Sequence, residues 1–106
     1  MSQSQRFEAL LAQGQDNALL RYSLGNAYLN EGRPDRAHEH LQQALSFDPH
    51  YSVAWKLLGR ALTELDKPQE AEAAYRQGIR VAQGKGDSQA AKEMEVFLKR
   101  LHKSAQ

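Results

Sequence analysis

A chain of 106 residues with one formal positive charge is sized for a single domain that buries roughly 65% of its unfolded surface, and it has no global field to recruit nucleic acid or anionic lipid. With 41% apolar and 25% charged residues it is neither disordered nor membrane-embedded in composition. Its apolar runs fall far short of a membrane span, and Met1 to Leu10 lack the charge cluster and apolar stretch of a secretory signal. The absence of cysteine excludes disulfides, thiolate nucleophiles and cysteine-ligated zinc or iron–sulfur sites. The expected compartment is the cytoplasm.

Apolar spacing, punctuated by proline and glycine, predicts six helices. The first runs from about Ser4 to Ala12, with Phe7, Leu10 and Leu11 on one side. Asp16 or Asn17 caps the second, which reaches about Glu31, because a short polar side chain there accepts from unpaired amides. Gly32 and Arg33 turn the chain, and Pro34 starts the third helix where its missing N–H is harmless. The same device recurs at Asp66, Lys67 and Pro68, between a fourth helix, about Ser52 to Leu65, and a fifth, about Pro68 to Ala82. Gln83 to Gly86 is expected to form a flexible break. Asp87 or Ser88 then caps a last helix to about Lys103, with Ala90, Met94, Phe97, Leu98 and Leu101 on one face.

The strongest signal is an internal repeat. Shifted by about 34 positions, Leu24, Gly25 and Ala27 fall on Leu58, Gly59 and Ala61, while Pro34 falls on Pro68 and Ala37 on Ala71. A period of this length marks helical hairpins that cannot each bury their own apolar face and therefore stack.

These residues resemble the tetratricopeptide repeat, whose signature is W-x2-L-G-x2-Y, then A-x3-F, then P. The copy from Ala18 to Tyr51 matches it at Leu24, Gly25, Tyr28, Ala37, Ala44 and Pro49, and the copy from Ser52 to Lys85 at Trp55, Leu58, Gly59 and Ala71, with Tyr75 in an aromatic position. Departures are Arg21 for the tryptophan, Leu41 for the phenylalanine, Leu62 for the tyrosine, Gly78 for the second alanine and Gln83 for the final proline. The resemblance implies an all-α, right-handed superhelical stack of antiparallel hairpins. It divides the single domain into an amino-terminal half-repeat over 1–17, repeats over 18–51 and 52–85, and a capping helix over 86–106. Gly25 and Gly59, facing Ala37 and Ala71, are expected where two helices approach closely and a larger side chain overpacks the contact.

A reaction centre needs convergent groups, and few are on offer. His38 and His40 are two apart on a helix and point in different directions, so they are expected in solvent rather than on a metal. His50 and His102 have no evident carboxylate or serine partner, and Glu64, Glu70, Glu72, Glu93 and Glu95 read as exposed helix charge. No catalytic residue, metal site or cofactor is expected. Gly84 to Ser88 is a glycine-rich stretch leading into a helix, where amides can hold a phosphate. The Walker spacing is absent, however, and no strand precedes it, so a nucleotide-binding enzyme is a remote alternative.

In the family that this chain resembles, the first helices of successive repeats line a concave face on which peptides are held. By that resemblance the groove positions are Leu19, Tyr22, Asn26, Leu29 and Asn30 in the first copy, and Val53, Lys56, Arg60, Thr63 and Glu64 in the second. Helical spacing places each set on one face. Lys56 and Arg60, one turn apart, suit a carboxylate of an extended ligand. Relatives that grip chaperone tails use lysine, asparagine and arginine where this chain has Tyr22, Asn26, Leu57, Asp87 and Ala91, so only Asn26 fits that role. The expected function is a non-catalytic module that binds a segment of another protein, acidic segments included, as a monomer or weak homodimer and without nucleic acid or membrane. The alternative within binding is a scaffold that self-associates through an open end of the stack.

Overall fold

The structure, a computed structural model, describes residues 1–104; the last two positions of the expected capping unit, 105–106, lie outside the described residues. Six helices follow in order: α1 (Gln3–Ala12), α2 (Ala18–Asn30), α3 (Pro34–Phe47), α4 (Ser52–Glu64), α5 (Pro68–Gly84) and α6 (Ser88–Ser104).

Five of the six starts have a local cause in a cap or a proline. At α1 the Ser2 hydroxyl accepts from the Gln5 amide while the Gln5 side chain accepts from the Ser2 amide, a reciprocal capping box. Asn17, not Asp16, caps α2 by accepting from the Leu20 amide at 2.8 Å, and Asp87 rather than Ser88 accepts from the Ala90 amide at 3.1 Å. Pro34 and Pro68 open α3 and α5, each preceded by a residue at φ −119° and ψ 70° or 69°. The repeat is thus visible in the backbone as well as in the letters.

The ends are equally regular. Arg33, Lys67 and Asp87 donate their amides to the carbonyls of Tyr28, Leu62 and Ala82, and the residues before them donate to Leu29, Thr63 and Gln83. These are Schellman turns, which require a left-handed residue just past the helix. Gly14, Gly32 and Gly86 supply it after α1, α2 and α5, but after α4 the position is held by Asp66 at φ 59°. An L-residue there carries strain that glycine lacks. Asp66→Gly is therefore expected to raise stability by up to about 1 kcal/mol, read as a rise in the urea midpoint at unchanged slope.

Packing follows the two hairpins. A Cβ at Gly25 would stand 2.5 Å from Leu41 Cγ, and one at Gly59 would stand 2.6 Å from Tyr75 Cδ1. Leu41 and Tyr75 are themselves buried, so neither can step aside, and the close-approach expectation holds at both glycines. Gly78 is a third such seat: a Cβ there would meet Met94 of α6 and, at 2.7 Å, Cβ of Trp55. The seat of Gly78 against α6 explains why the second alanine of the signature is missing from this copy. Gly84, by contrast, faces open space. We expect Gly59→Ala to cost about 1–3 kcal/mol through overpacking and Gly84→Ala to add about 0.4–1 kcal/mol through the unfolded chain; thermal melts of the pair should move in opposite directions.

Three expectations are corrected. Helix α5 runs to Gly84, so Gln83 and Gly84 belong to its last turn and not to a flexible break. His40 is not in solvent but 6% exposed, stacked on Tyr28 with ring centroids 5.6 Å apart. His102 does have a carboxylate partner, Glu72, 2.6 Å from its Nε2. That last contact draws the Glu72 carboxyl below the usual carboxylate range, with Arg76 assisting, but both side chains are exposed. His102→Ala should shift the melting midpoint by no more than about 1–2 °C, as is usual for surface pairs.

The surroundings of His40 explain its burial. Arg21, standing where the repeat signature has tryptophan, donates from Nη1 to His40 Nδ1 at 3.1 Å and grips both oxygens of Asp16 at 2.7 and 2.9 Å. Because arginine only donates, Nδ1 must be the acceptor, which leaves Nε2–H facing the Glu8 carboxylate 3.9 Å away. Glu8 also accepts from the Tyr28 hydroxyl at 2.7 Å, and Ser4 of α1 donates to Glu31, which caps the end of α2, at 2.6 Å. Helix α1 is therefore held to the first repeat by polar contacts, while its Phe7, Leu10 and Leu11 are half-buried. Burial pushes the His40 imidazole below its ordinary pKa; Glu8 opposes this and Arg21 adds to it.

Candidate peptide-binding groove

Helices α2, α4 and α6 stand side by side. Tyr22 of α2 meets Tyr51, at the entry to α4, with ring centroids 5.0 Å apart. Lys56 of α4 lies 3.4 Å from Glu93 of α6. Helix α6 thus does more than cover α5: it takes the place beside α4 that α4 takes beside α2.

Along this row the groove positions separate into three groups. Leu19 is 64% exposed, and Asn30, Arg60, Thr63 and Glu64 are exposed too; Tyr22, Asn26 and Val53 are half-buried. Leu29 faces inward at 7% exposure and joins the core, so it offers nothing to a ligand. Lys56 is engaged by Glu93, which leaves Arg60 without an ion-pair partner among the described residues and divides the two cations that the sequence places together.

Arg60, Thr63 and Glu64 meet residues of α5 and α6 around a cleft of about 220 Å³. Its floor is Tyr75 and Leu101, and its far wall is Phe97 and Arg100. The Tyr75 and Phe97 rings stack at 5.9 Å and 20°, and the Arg100 guanidinium sits 5.6 Å above the Phe97 ring. Burial pushes the Tyr75 hydroxyl above its ordinary pKa; Thr63 and Arg60 pull it back down, and Glu64 adds to the rise. Sequence reasoning missed Tyr75, Phe97 and Arg100 because it treated α6 as a lid over α5.

The matches between this chain and known proteins bear on what such a row of helices is. A model of the tetratricopeptide repeat matches residues 28–94. The chain belongs to the tetratricopeptide-repeat family. It is 48% identical over 97 residues to the TPR repeat-containing protein PA0015 of Pseudomonas aeruginosa, covering 92% of each chain. The solution structure of protein BPP2914 from Bordetella parapertussis superposes with a TM-score of 0.87 at 46% identity, covering 98% of this chain and 90% of that one. A 66-residue stretch is 39% identical to the heat-shock cognate co-chaperone sgt12 of Aspergillus fumigatus, and spans 19% of that protein's length.

Tetratricopeptide repeats are generally protein-interaction modules. Among the described residues no group of three or more His, Asp or Glu is placed to hold a metal ion, and no helix is long and apolar enough to cross a membrane. The Gly84–Ser88 stretch does not cradle an anion. Gly84 is helical, and the Asp87 carboxylate already sits on the α6 amide that a phosphate would need. The chaperone-tail positions fail as well, since Leu57 and Ala91 are buried and Asp87 is a cap. The outer side of α6 presents Lys92, Glu95 and Lys99 around Val96, its one exposed large apolar residue, which is a poor surface for stacking a second copy.

Proposed function

We propose that this chain is a non-catalytic cytoplasmic module that holds an extended segment of another protein along the row α2, α4, α6, with residues 18–51 and 52–85 as its repeats, 1–17 as an amino-terminal half-repeat and 86–106 as a capping helix. The contact residues are Leu19, Tyr22, Asn26 and Asn30 on the first repeat and Val53, Arg60, Thr63 and Glu64 on the second. Lys56 serves there as the tie to α6, and Leu29 as core. The observation that carries this reading is the alignment of the three leading helices with exposed polar and apolar groups on one side, ending in the cleft beside Arg60. A face of this size supports modest affinity, because ordering an extended segment offsets much of what a limited interface gains.

Affinity capture from the native cell tests it. Wild-type protein is expected to retain a partner that Arg60→Glu and Lys56→Glu lose, while Glu70→Lys, on the opposite side of the stack, keeps it. Retention of every partner by both α4 variants would remove the groove reading and leave the fold untouched.

A further inference from the structure

From the cleft between α4 and α6 we infer a more specific ligand: an internal apolar residue followed directly by a single acidic side chain, the apolar group seated against Phe97 and the carboxylate held between Arg60 and Arg100. The inference rests on the groove reading and adds the chemistry of one subsite to it.

Size comes first. At about 220 Å³ the cleft is below the roughly 300–1,000 Å³ of small-molecule sites, so it takes one side chain rather than a cofactor. Its walls decide which kind. The half-buried ring of Phe97, stacked on the buried Tyr75 ring, with Leu101 also lining the cleft, gives an apolar wall that releases water when an aliphatic or aromatic group covers it.

Charge decides what stands beside that group. Arg60 and Arg100 both line the cleft, and among the described residues neither has a carboxylate partner; the recorded contact of Arg100 is the face of Phe97. The neighbouring cation, Lys56, is neutralised by Glu93 one turn earlier. Two guanidinium groups flanking an apolar wall suit a carboxylate, which they can grip with paired N–H donors. Glu64 on the same rim reduces the surplus to one positive charge. One acidic side chain is thereby matched and a second, adjacent one is repelled. The cleft is open to solvent between the exposed side chains of Arg60, Thr63, Glu64 and Arg100 rather than enclosed, and so an internal residue of a passing segment is favoured over a chain terminus.

The test uses full-length protein and synthetic decapeptides blocked at both ends, each with a single Phe-Glu step in a Gly/Ser background. Phe-Glu peptide is expected to shift the amide signals of Arg60, Phe97 and Arg100, and the Phe-Gln and Ala-Glu versions to bind at least about tenfold more weakly. Arg60→Gln and Arg100→Gln should each cost about tenfold in affinity with unchanged circular dichroism, and Glu64→Gln should improve binding of a Phe-Glu-Glu peptide. Trp55 is the internal control. It lies in the furrow between α3 and α5, on another side of α4, so its fluorescence should not move.

Equal binding of Phe-Glu and Phe-Gln, undiminished binding to Arg100→Gln, or a Trp55 response would overturn the inference. So would binding confined to an unblocked carboxyl terminus, or signal shifts that follow protein concentration and mark a second copy in the cleft. If Arg60→Glu loses its cellular partner while Arg100→Gln keeps it, the groove reading stands and this subsite alone is wrong.

Discussion

Leu41→Ala is expected to lower the stability of the domain by about 3–5 kcal/mol, the range for emptying a fully buried leucine site. Leu41 has no exposed surface and fills the space that Gly25 leaves on the facing helix, its Cγ only 2.5 Å from where a Cβ would stand. Against a typical total of about 5–15 kcal/mol, the loss brings the chain near the edge of folding. Gly25→Ala alone should cost about 1–3 kcal/mol, even though alanine is worth about 1 kcal/mol more than glycine inside a helix. The double variant carries the sharper prediction. The new methyl enters the vacated space, so the combined loss should fall short of the sum of the single losses by about 1–3 kcal/mol. Urea titration of the four proteins measures this coupling, and strict additivity would mean that the two residues do not share a seat.

The second large effect centres on Arg21. Arg21→Ala removes the donor to His40 Nδ1 and the partner of Asp16 together, leaving a buried acceptor unpaired at a cost of about 2 kcal/mol. Acid should act on the same contact. A protonated imidazole has no acceptor nitrogen, so charging His40 breaks the bond from Arg21 and sets two cations in contact, with Glu8 at 3.9 Å as partial compensation. The folded pKa is lowered from 6.5, chiefly by burial, while Glu8 and Glu39 raise it and Arg21 and Arg36 lower it. Between the unfolded and folded values the unfolded chain binds more protons, so the contribution is complete above about pH 6.5 and is lost as pH falls below it. The carboxyls of Asp16 and Asp35, held low by Arg21 and Arg33, give up their contributions only in stronger acid. Melting curves between about pH 7.5 and 5 should therefore show a decline that His40→Gln flattens. An equal slope in both proteins would assign the acid response to other groups.

Most of the fold was legible in the sequence because its devices are local. Proline at the start of α3 and α5, glycine at the end of α2, and paired small residues inside the hairpins are each fixed by one backbone requirement, and the 34-residue shift repeats the prolines and the small residues. What escaped depends on contacts between distant positions. Nothing near His40 in the chain shows that Arg21 and Glu8 enclose it, and nothing near His102 points to Glu72. Leu29 and Lys56 sit at groove positions by resemblance, yet Leu29 faces the core and Glu93 draws Lys56 toward α6. The α4–α6 cleft was hidden for a related reason: α6 departs from the repeat register, so residues such as Phe97 and Arg100 have no counterpart in the earlier copies. The i, i+3 spacing of Phe97 and Arg100 was a signal, but only contact with α4 gives it a purpose.

Helix α5 has 17 residues where α3 has 14, and those three additional positions act as a phase setter for everything that follows. Excising three residues from its last turn would swing the attachment of α6 by roughly 300° and draw it back by about 4.5 Å, aiming Phe97 away from Tyr75 with both hairpins intact. Anyone grafting further units onto this scaffold must keep that longer helix as a spacer, since a junction built on the ordinary period would dismantle the recess while leaving the helical content unchanged.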